Sequence, residues 1–408
     1  MNRSTLWKQR LLFAALYFSE GAPIGYLWWA LPTQLRLAHM PIEHISTLTS
    51  LLVLPWTFKF LWAPAVDVLR NAGWTLKHWI LGAQLAMTVF LLPLFFLDAT
   101  EAFSIVLFFL LLHAVAAATQ DVAIDALAIH AVPSQERGRV NGWMQAGMLL
   151  GRSLFGGVAL VFLTQYDERW VLVFLIAAIL SSAIVLARSR IEPINGSRGK
   201  MQHDRRQLFV HRLTAVLHAR LTWLGFIVAL LGGAAFEGVG SVAGPFLVDR
   251  SLPQETVGTF FSIAAVGAMT LGSLAGGYMA DRINKAFATA IVLILTAIVV
   301  VAIAATDIFV RGERELLIGI MTTLYFCIGL FTATSYALFM ELSEPTIAAT
   351  QFSAFMGVTN LCESWAALLI GRLIASTGYP RAFLVMSLLS LTALPALVKM
   401  QRTLTTER

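Results

Sequence analysis

Hydrophobic residues along this chain fall into long runs that show no strict alternation. Twelve runs are long enough to cross a bilayer: roughly 11–35, 45–68, 77–97, 103–131, 140–164, 169–187, 221–247, 256–280, 286–306, 315–341, 348–375 and 380–399. A spanning helix needs about 20 mostly apolar residues. A barrel strand would be about 10 residues with inside–outside alternation. Stretches such as Ile105–Leu112 and Ile291–Ala305 do not alternate, so the pattern predicts an all-α integral membrane protein. The N-terminal run carries Arg3, Lys8 and Arg10 ahead of it, but Ser19-Glu20 interrupts it and no small-residue cleavage site follows. It reads as a retained first helix and not as a cleaved signal peptide.

Composition agrees with this pattern and excludes other classes. Of 408 residues, 58% are hydrophobic and only 13% charged. Soluble domains carry about twice that share of charge. The net charge of +6 therefore reports loops at the membrane surface, and no nucleic-acid partner is expected. Lys and Arg concentrate before helix 1, in the 2–3, 4–5, 6–7 and 8–9 connections and after helix 12, whereas the opposite loops hold only Arg36, Arg169, Arg250, Arg311, Arg314 and Arg381. That asymmetry predicts that both termini are cytoplasmic. The acidic 10–11 connection, Glu341 to Glu344, runs against the trend, but acids weigh little in this rule. Cys327 and Cys362 lie within apolar runs and imply neither a disulfide framework nor a metal site.

One long polar stretch, 188–220, separates residues 1–187 from residues 221–408, six runs on each side. It reads as a solvated linker touching anionic headgroups. The two sides look like copies. Phe18-Ser19-Glu20-Gly21 resembles Ala235-Phe236-Glu237-Gly238, and Pro41-Ile42-Glu43 resembles Pro253-Gln254-Glu255. Asp67 ends helix 2 as Asp281 ends helix 8. The copies enter the membrane from the same side, so they are parallel repeats. Six plus six helices in parallel repeat resemble the plan of major facilitator transporters, which implies a solute path between the halves near the midplane. The stretch Gly272-Ser273-Leu274-Ala275-Gly276-Gly277-Tyr278-Met279-Ala280-Asp281-Arg282 resembles the loop signature of that superfamily. The Gly272–Gly276 spacing lets another helix approach closely. Asp281 is placed to cap a helix or pair with an Arg such as Arg282.

Ionisable residues inside membrane spans are costly and usually functional. The first half holds Glu20, Lys59, Asp121, Asp125 and Arg152, which helical rise places in one layer. Asp121 and Asp125 share a helix face. Three acids against two bases leave one carboxylate without a cationic partner, a proton carrier in waiting. Depth pairs Arg152 with Asp121 and Lys59 with Asp125, leaving Glu20 for the proton. The rival reading is that these charges only latch helices together. The second half offers Glu237, in the repeat position of Glu20, and Glu363. His113 reads as a packing residue or as a proton shuttle. Gln120 adjoins the aspartate pair and, with Lys59, Arg152 and His113, is a candidate for the solute path. Tyr26 and Trp29, after the helix breaks expected at Pro23 and Gly25, are candidates for stacking on a planar solute, although interface belts explain most such residues. In helix 5, Gly147–Gly151 and Gly156-Gly157 allow tight packing. Arg152 stands where the exporter signature would carry Pro, which favours import.

Several stretches resemble one branch of the superfamily. Phe58-Lys59-Phe60-Leu61-Trp62-Ala63-Pro64 with Asp67, Ala118-Thr119-Gln120-Asp121-Val122-Ala123-Ile124-Asp125, Gln135-Glu136-Arg137-Gly138 and Glu20-Gly21-Ala22-Pro23 are similar to signatures of AmpG-type muropeptide permeases and the related acetyl-CoA transporters. The resemblance implies a solute:proton symporter of the bacterial inner membrane, with Lys59, Asp121 and Asp125 in the transport path; the sequence carries no oligomer signal, so a monomer is the default expectation. The partners it implies are a small organic solute and membrane lipids. No cofactor is implied beyond the proton gradient. Muropeptide permeases usually run longer, so chain length shifts the expectation toward the shorter siderophore permeases of the branch. Two alternatives stand: a proton-antiporting drug exporter of the same fold, and a membrane prenyltransferase suggested by Asp121-x-x-x-Asp125. The prenyltransferase would need a second acidic motif, and none appears in the sequence.

Overall fold

The computed structural model describes residues 3–63, 65–66, 75–132, 136–189, 191, 218–310, 313–344 and 348–406. Pro64, Asp67, Gln135, Arg311 and most of the 188–220 stretch lie outside the described residues. Among the described residues all regular structure is helical. We number twelve helices. Helix α1 runs from Arg3–Gly25 through a wider π-type turn, Tyr26–Ala30, into Leu31–Leu37. Helix α2 is Ile42–Phe58 and α3 is Leu76–Phe95. Next come α4, Phe103–Ala131, α5, Val140–Phe162, and α6, Glu168–Arg188. Helix α7 is Arg220–Ser241, followed by the short helix Ala243–Asp249. The remainder are α8, Gln254–Arg282, α9, Lys285–Phe309, α10, Arg314–Leu342, α11, Ala348–Thr377, and α12, Tyr379–Thr403.

Ten of these, α3 to α12, contain stretches long and apolar enough to cross a bilayer. Helix α2 falls short because its regular part is 17 residues. Helix α1 carries Lys8, Arg10 and Glu20 in its course. It also does not break at Pro23 and Gly25, as the sequence suggests. Gly25 is helical (φ −58°, ψ −47°), and the chain leaves the α form only after it, in the π-turn.

The chain condenses into two compact units. The first comprises Met1–Met40, Phe58–Arg198 and Leu247–Ile263, and the second Pro41–Thr57, Gly199–Phe246 and Ala264–Arg408. In the first unit a core of Phe13, Leu16, Ile80, Ile124, Leu127 and Leu186 binds α1 to α3, α4 and α6. Glycines set the approach of α1 to α5. A methyl group on Gly25 would stand 2.6 Å from the Arg152 carbonyl oxygen, and one on Gly151 would stand 2.7 Å from that of Phe18. Without Cβ atoms there, the backbones touch directly, as small residues allow in membranes. Farther along, Gly157 and Gly258 bring α5 and the start of α8 together in the same way, each within 2.7 Å of the other's carbonyl oxygen if a methyl were added.

Arg36, near the end of α1, forks onto Asp249 with bonds of 2.7 and 2.8 Å and also donates to the Met40 carbonyl at 3.0 Å. The pair's side chains keep 26% and 19% of their surface exposed, so solvent screens it. A double-mutant cycle of Arg36→Ala and Asp249→Ala, read by thermal unfolding in detergent, is expected to give a coupling of about 1 kcal/mol.

In the second unit α8 lies on α10 through Gly272, Gly276 and Gly329. A methyl on Gly276 would meet the Leu330 carbonyl oxygen at 2.7 Å. The close approach expected from the Gly272–Gly276 spacing is thus present. Gly276→Leu should destabilise the chain by about 2 kcal/mol, lowering its unfolding temperature in detergent, because the obstacle is backbone that cannot swing aside. Helix α2 packs on α11, where the Ser50 and Ser364 hydroxyls meet at 3.2 Å and Ser364 donates to the Ser50 carbonyl at 3.0 Å.

Candidate functional site

The ionisable layer forms in the first unit, on the facing sides of α1 and α4. Tyr17 and Glu20 are one turn apart on α1, and Asp121 and Asp125 one turn apart on α4, so each pair projects from one helix face. The Tyr17 hydroxyl donates to Asp125 Oδ1 at 2.6 Å. Glu20 is 2% exposed, and its Oε2 has no hydrogen-bond partner. Asp121, Asp125, Lys59 and Arg152 all act on Glu20 electrostatically.

Lys59 reaches this layer because α2 stops regular winding at Phe58 (φ −101°, ψ 3°) and continues as a tight turn, Lys59–Leu61. The Trp62 indole ties that turn to α4 by donating to Thr119 Oγ1 at 3.1 Å. The Lys59 ammonium then pairs with Asp121. Depth alone pairs Lys59 with Asp125 and Arg152 with Asp121. The structure pairs Lys59 with Asp121, because the turn after Phe58 takes Lys59 off the path of α2. Arg152 is carried toward α1 by the glycine seam of α5, and its guanidinium lies 5.6 Å from the centre of the Trp29 ring.

Beside the carboxylates lies a neutral polar cluster. Gln84 of α3 donates to Ser19 at 3.3 Å and to Ser182 of α6 at 3.1 Å, and Gln120 of α4 donates to Ser19 at 3.4 Å. Gln120 is a candidate on sequence alone, whereas Tyr17, Ser19, Gln84 and Ser182 enter only with the structure. The signal was present for Gln84, the one amide in the otherwise apolar run of α3, and for Tyr17, one turn from Glu20.

The aromatic candidates are packed. Tyr26 is 1% exposed, and its hydroxyl donates to Glu168 at the start of α6. Trp29 stacks on Phe261 with ring centres 5.1 Å apart and planes 15° from parallel. His113 is fully buried, with Nδ1 3.0 Å from the Met87 carbonyl oxygen.

The remaining candidates sit elsewhere. Glu237 on α7 and Glu363 on α11 belong to the second unit, where both act on the buried Cys362 thiol. Asp281 and Arg282 are exposed at the end of α8. Asn284, and not Asp281, caps α9 by accepting from the Phe287 amide at 3.1 Å. Arg282 lies over the Tyr278 ring at 4.8 Å. Glu341, the acid that ran against the charge asymmetry, pairs with Lys285 at 3.3 Å.

A layer of buried acids and bases on a scaffold of packed spans can take up, hold and release protons, and it can bind a polar solute away from bulk water. Known proteins bear on the choice. The anhydromuropeptide permease of Escherichia coli K12 is 23% identical over 378 residues, 90% of this chain and 75% of its own. A Rickettsia conorii protein designated transporter AmpG 4 is 20% identical over 97% of both chains. A crystal structure of a D-xylose-proton symporter superposes with a TM-score of 0.78 at 10% identity, covering 97% of each chain, which shows a shared fold. A family model of the Major Facilitator Superfamily matches residues 11–367. These findings place the chain among transporters and not among enzymes, which removes the prenyltransferase alternative. The chain is a multi-pass membrane transporter and belongs to the Major Facilitator Superfamily.

Proposed function

We propose that this protein is a proton-coupled importer of an organic solute across the bacterial inner membrane, working by alternating access with residues 1–187 and 221–408 as its moving halves, 188–220 as a linker and both termini cytoplasmic. The observation that carries the proposal is Glu20: a carboxyl group 2% exposed, in the field of two further acids, with the nearby Lys59 committed to Asp121. A carboxyl so placed can exchange a proton once per cycle while the Lys59–Asp121 pair stays closed.

The solute class we favour is a muropeptide-type compound, a sugar bearing a short peptide. The name of the Escherichia coli relative supports it. Length no longer argues for a siderophore, since the Rickettsia conorii protein covers and is covered at 97% and carries the AmpG designation. In right-side-out vesicles, radiolabelled anhydromuropeptide should accumulate with the proton gradient, and a protonophore should abolish accumulation. Accumulation of ferric siderophores alone would move the solute to that class. Outward movement of hydrophobic drugs alone would make the protein an exporter.

A further inference from the structure

The neutral cluster beside Glu20 has an unusual balance of hydrogen-bonding groups. Ser19 Oγ gives its single proton to the Leu16 carbonyl at 2.7 Å, so it can only accept from Gln84 and Gln120. Gln84 Nε2 gives its second proton to Ser182 at 3.1 Å. These bonds fix which end of each amide faces Ser19. The other ends, Gln84 Oε1 and Gln120 Oε1, are acceptors, and no protein donor reaches them. His113 Nδ1 faces a carbonyl oxygen and must carry its proton, so the neutral ring presents Nε2 as an acceptor, again without a partner. Glu20 Oε2 is the fourth such atom. Gln84, Gln120 and His113 are fully buried, and Glu20 is 2% exposed. Buried polar atoms are otherwise almost always satisfied.

Gln84, Gln120 and His113 border one seam between α3 and α4, and Glu20 follows Ser19 on α1. His113 and Gln120 are seven residues apart, two turns along the same face of α4, or about 10 Å. The Met87 carbonyl that holds His113 is one turn beyond Gln84 on α3, about 4.5 Å. A seam whose unpartnered oxygen and ring-nitrogen atoms are acceptors fits a small donor such as water or hydronium, or a monovalent cation. The acceptors are strung over two turns, too far apart to enclose one ion. Among the described residues, no group of three or more His, Cys, Asp or Glu side chains gathers to hold a metal.

We propose that the α1–α3–α4 seam binds a short file of water molecules that joins Glu20 to His113, and that Gln84 and Gln120 are positioning residues for proton exchange at Glu20. This inference rests on the reading of Glu20 as proton carrier. The carboxyl exchanges its proton with the file, and the file passes it along Gln120 and Gln84 toward His113 Nε2. The charged groups facing Glu20, namely Asp121, Asp125, Lys59 and Arg152, keep their arrangement.

The test uses the full chain in proteoliposomes with radiolabelled anhydromuropeptide, comparing Gln84→Met with wild type. Two fluxes are read. Uptake driven by an imposed pH gradient needs net proton movement, and solute counterflow at equal pH does not. Gradient-driven uptake should fall about tenfold or more while counterflow stays within about twofold, the pattern of lost outer-layer support. Equal loss of both fluxes would mean a structural role and would overturn the proposal, as would no change in either. If wild-type uptake required Na⁺ in place of a pH gradient, the seam would be a cation site and the water file would be wrong. If wild type showed counterflow but no response to pH at all, the reading of Glu20 itself would fail. A structure at a resolution that shows solvent should place water within hydrogen-bond distance of both amide oxygens. Dry packing there would contradict the file even if the variant were slow.

Discussion

Replacing Lys59 with Met is expected to abolish solute uptake and to destabilise the protein by about 3 kcal/mol, toward the low end for a broken buried pair. Among the described residues, the Lys59 ammonium is the cation that pairs with Asp121, whose side chain is 8% exposed against 28% for Lys59. Removing it leaves the Asp121 carboxyl group without that partner in a membrane-spanning bundle beside Glu20 and Asp125, with Arg152 at the Trp29 ring. The partial exposure of Lys59 lets water offset some of that loss. The double variant Lys59→Met/Asp121→Asn should recover most of the stability, because no charge is left alone, yet it should remain inactive. Thermal unfolding in detergent and uptake in vesicles separate the two effects. Recovery of uptake in the double variant would reduce the pair to a latch.

Glu20→Gln is expected to behave differently. The amide keeps the size of the side chain and its capacity for hydrogen bonds but cannot release a proton. Removal of an unpartnered buried acid should not harm folding, so the unfolding temperature should hold or rise. Accumulation driven by the proton gradient should fall by about 100-fold or more, as for loss of an essential proton-transfer group. Counterflow should persist, since exchange of solute for solute does not require the group to titrate. Measuring both fluxes on one preparation distinguishes loss of coupling from loss of the solute site.

The sequence reading located the helices because membrane solvent leaves the backbone little choice: long apolar runs must satisfy their hydrogen bonds internally. It located the ionisable layer for a related reason, since charges in such runs are expensive enough to stand out. It could not say which charge meets which. Depth is a one-dimensional coordinate, whereas pairing depends on helix phase and on local departures from the α form. The turn at Lys59–Leu61 moved Lys59 to Asp121, and the glycines of α5 moved Arg152 toward Trp29. The π-turns at Tyr26–Ala30 and Ser153–Val158 left no mark in hydropathy. They shift register by one residue, enough to change which side chains face a neighbour. Tyr26 and Trp29 illustrate the consequence. Their spacing suggested rings presented to a solute, and the fold instead gives Tyr26 to Glu168 and Trp29 to Phe261.

Gln84 and Ser182 were overlooked for another reason. Single neutral polar residues in membrane helices are common enough to pass as packing. Only the three-dimensional network shows two amides directed at one serine with their oxygens left over.

The most direct test of the account is to load proteoliposomes with a pH-sensitive dye, add anhydromuropeptide outside without any imposed gradient, and follow the internal pH. The account predicts that solute entry acidifies the lumen in wild type and not in Glu20→Gln. Entry of the solute with no change in internal pH in wild type would contradict it.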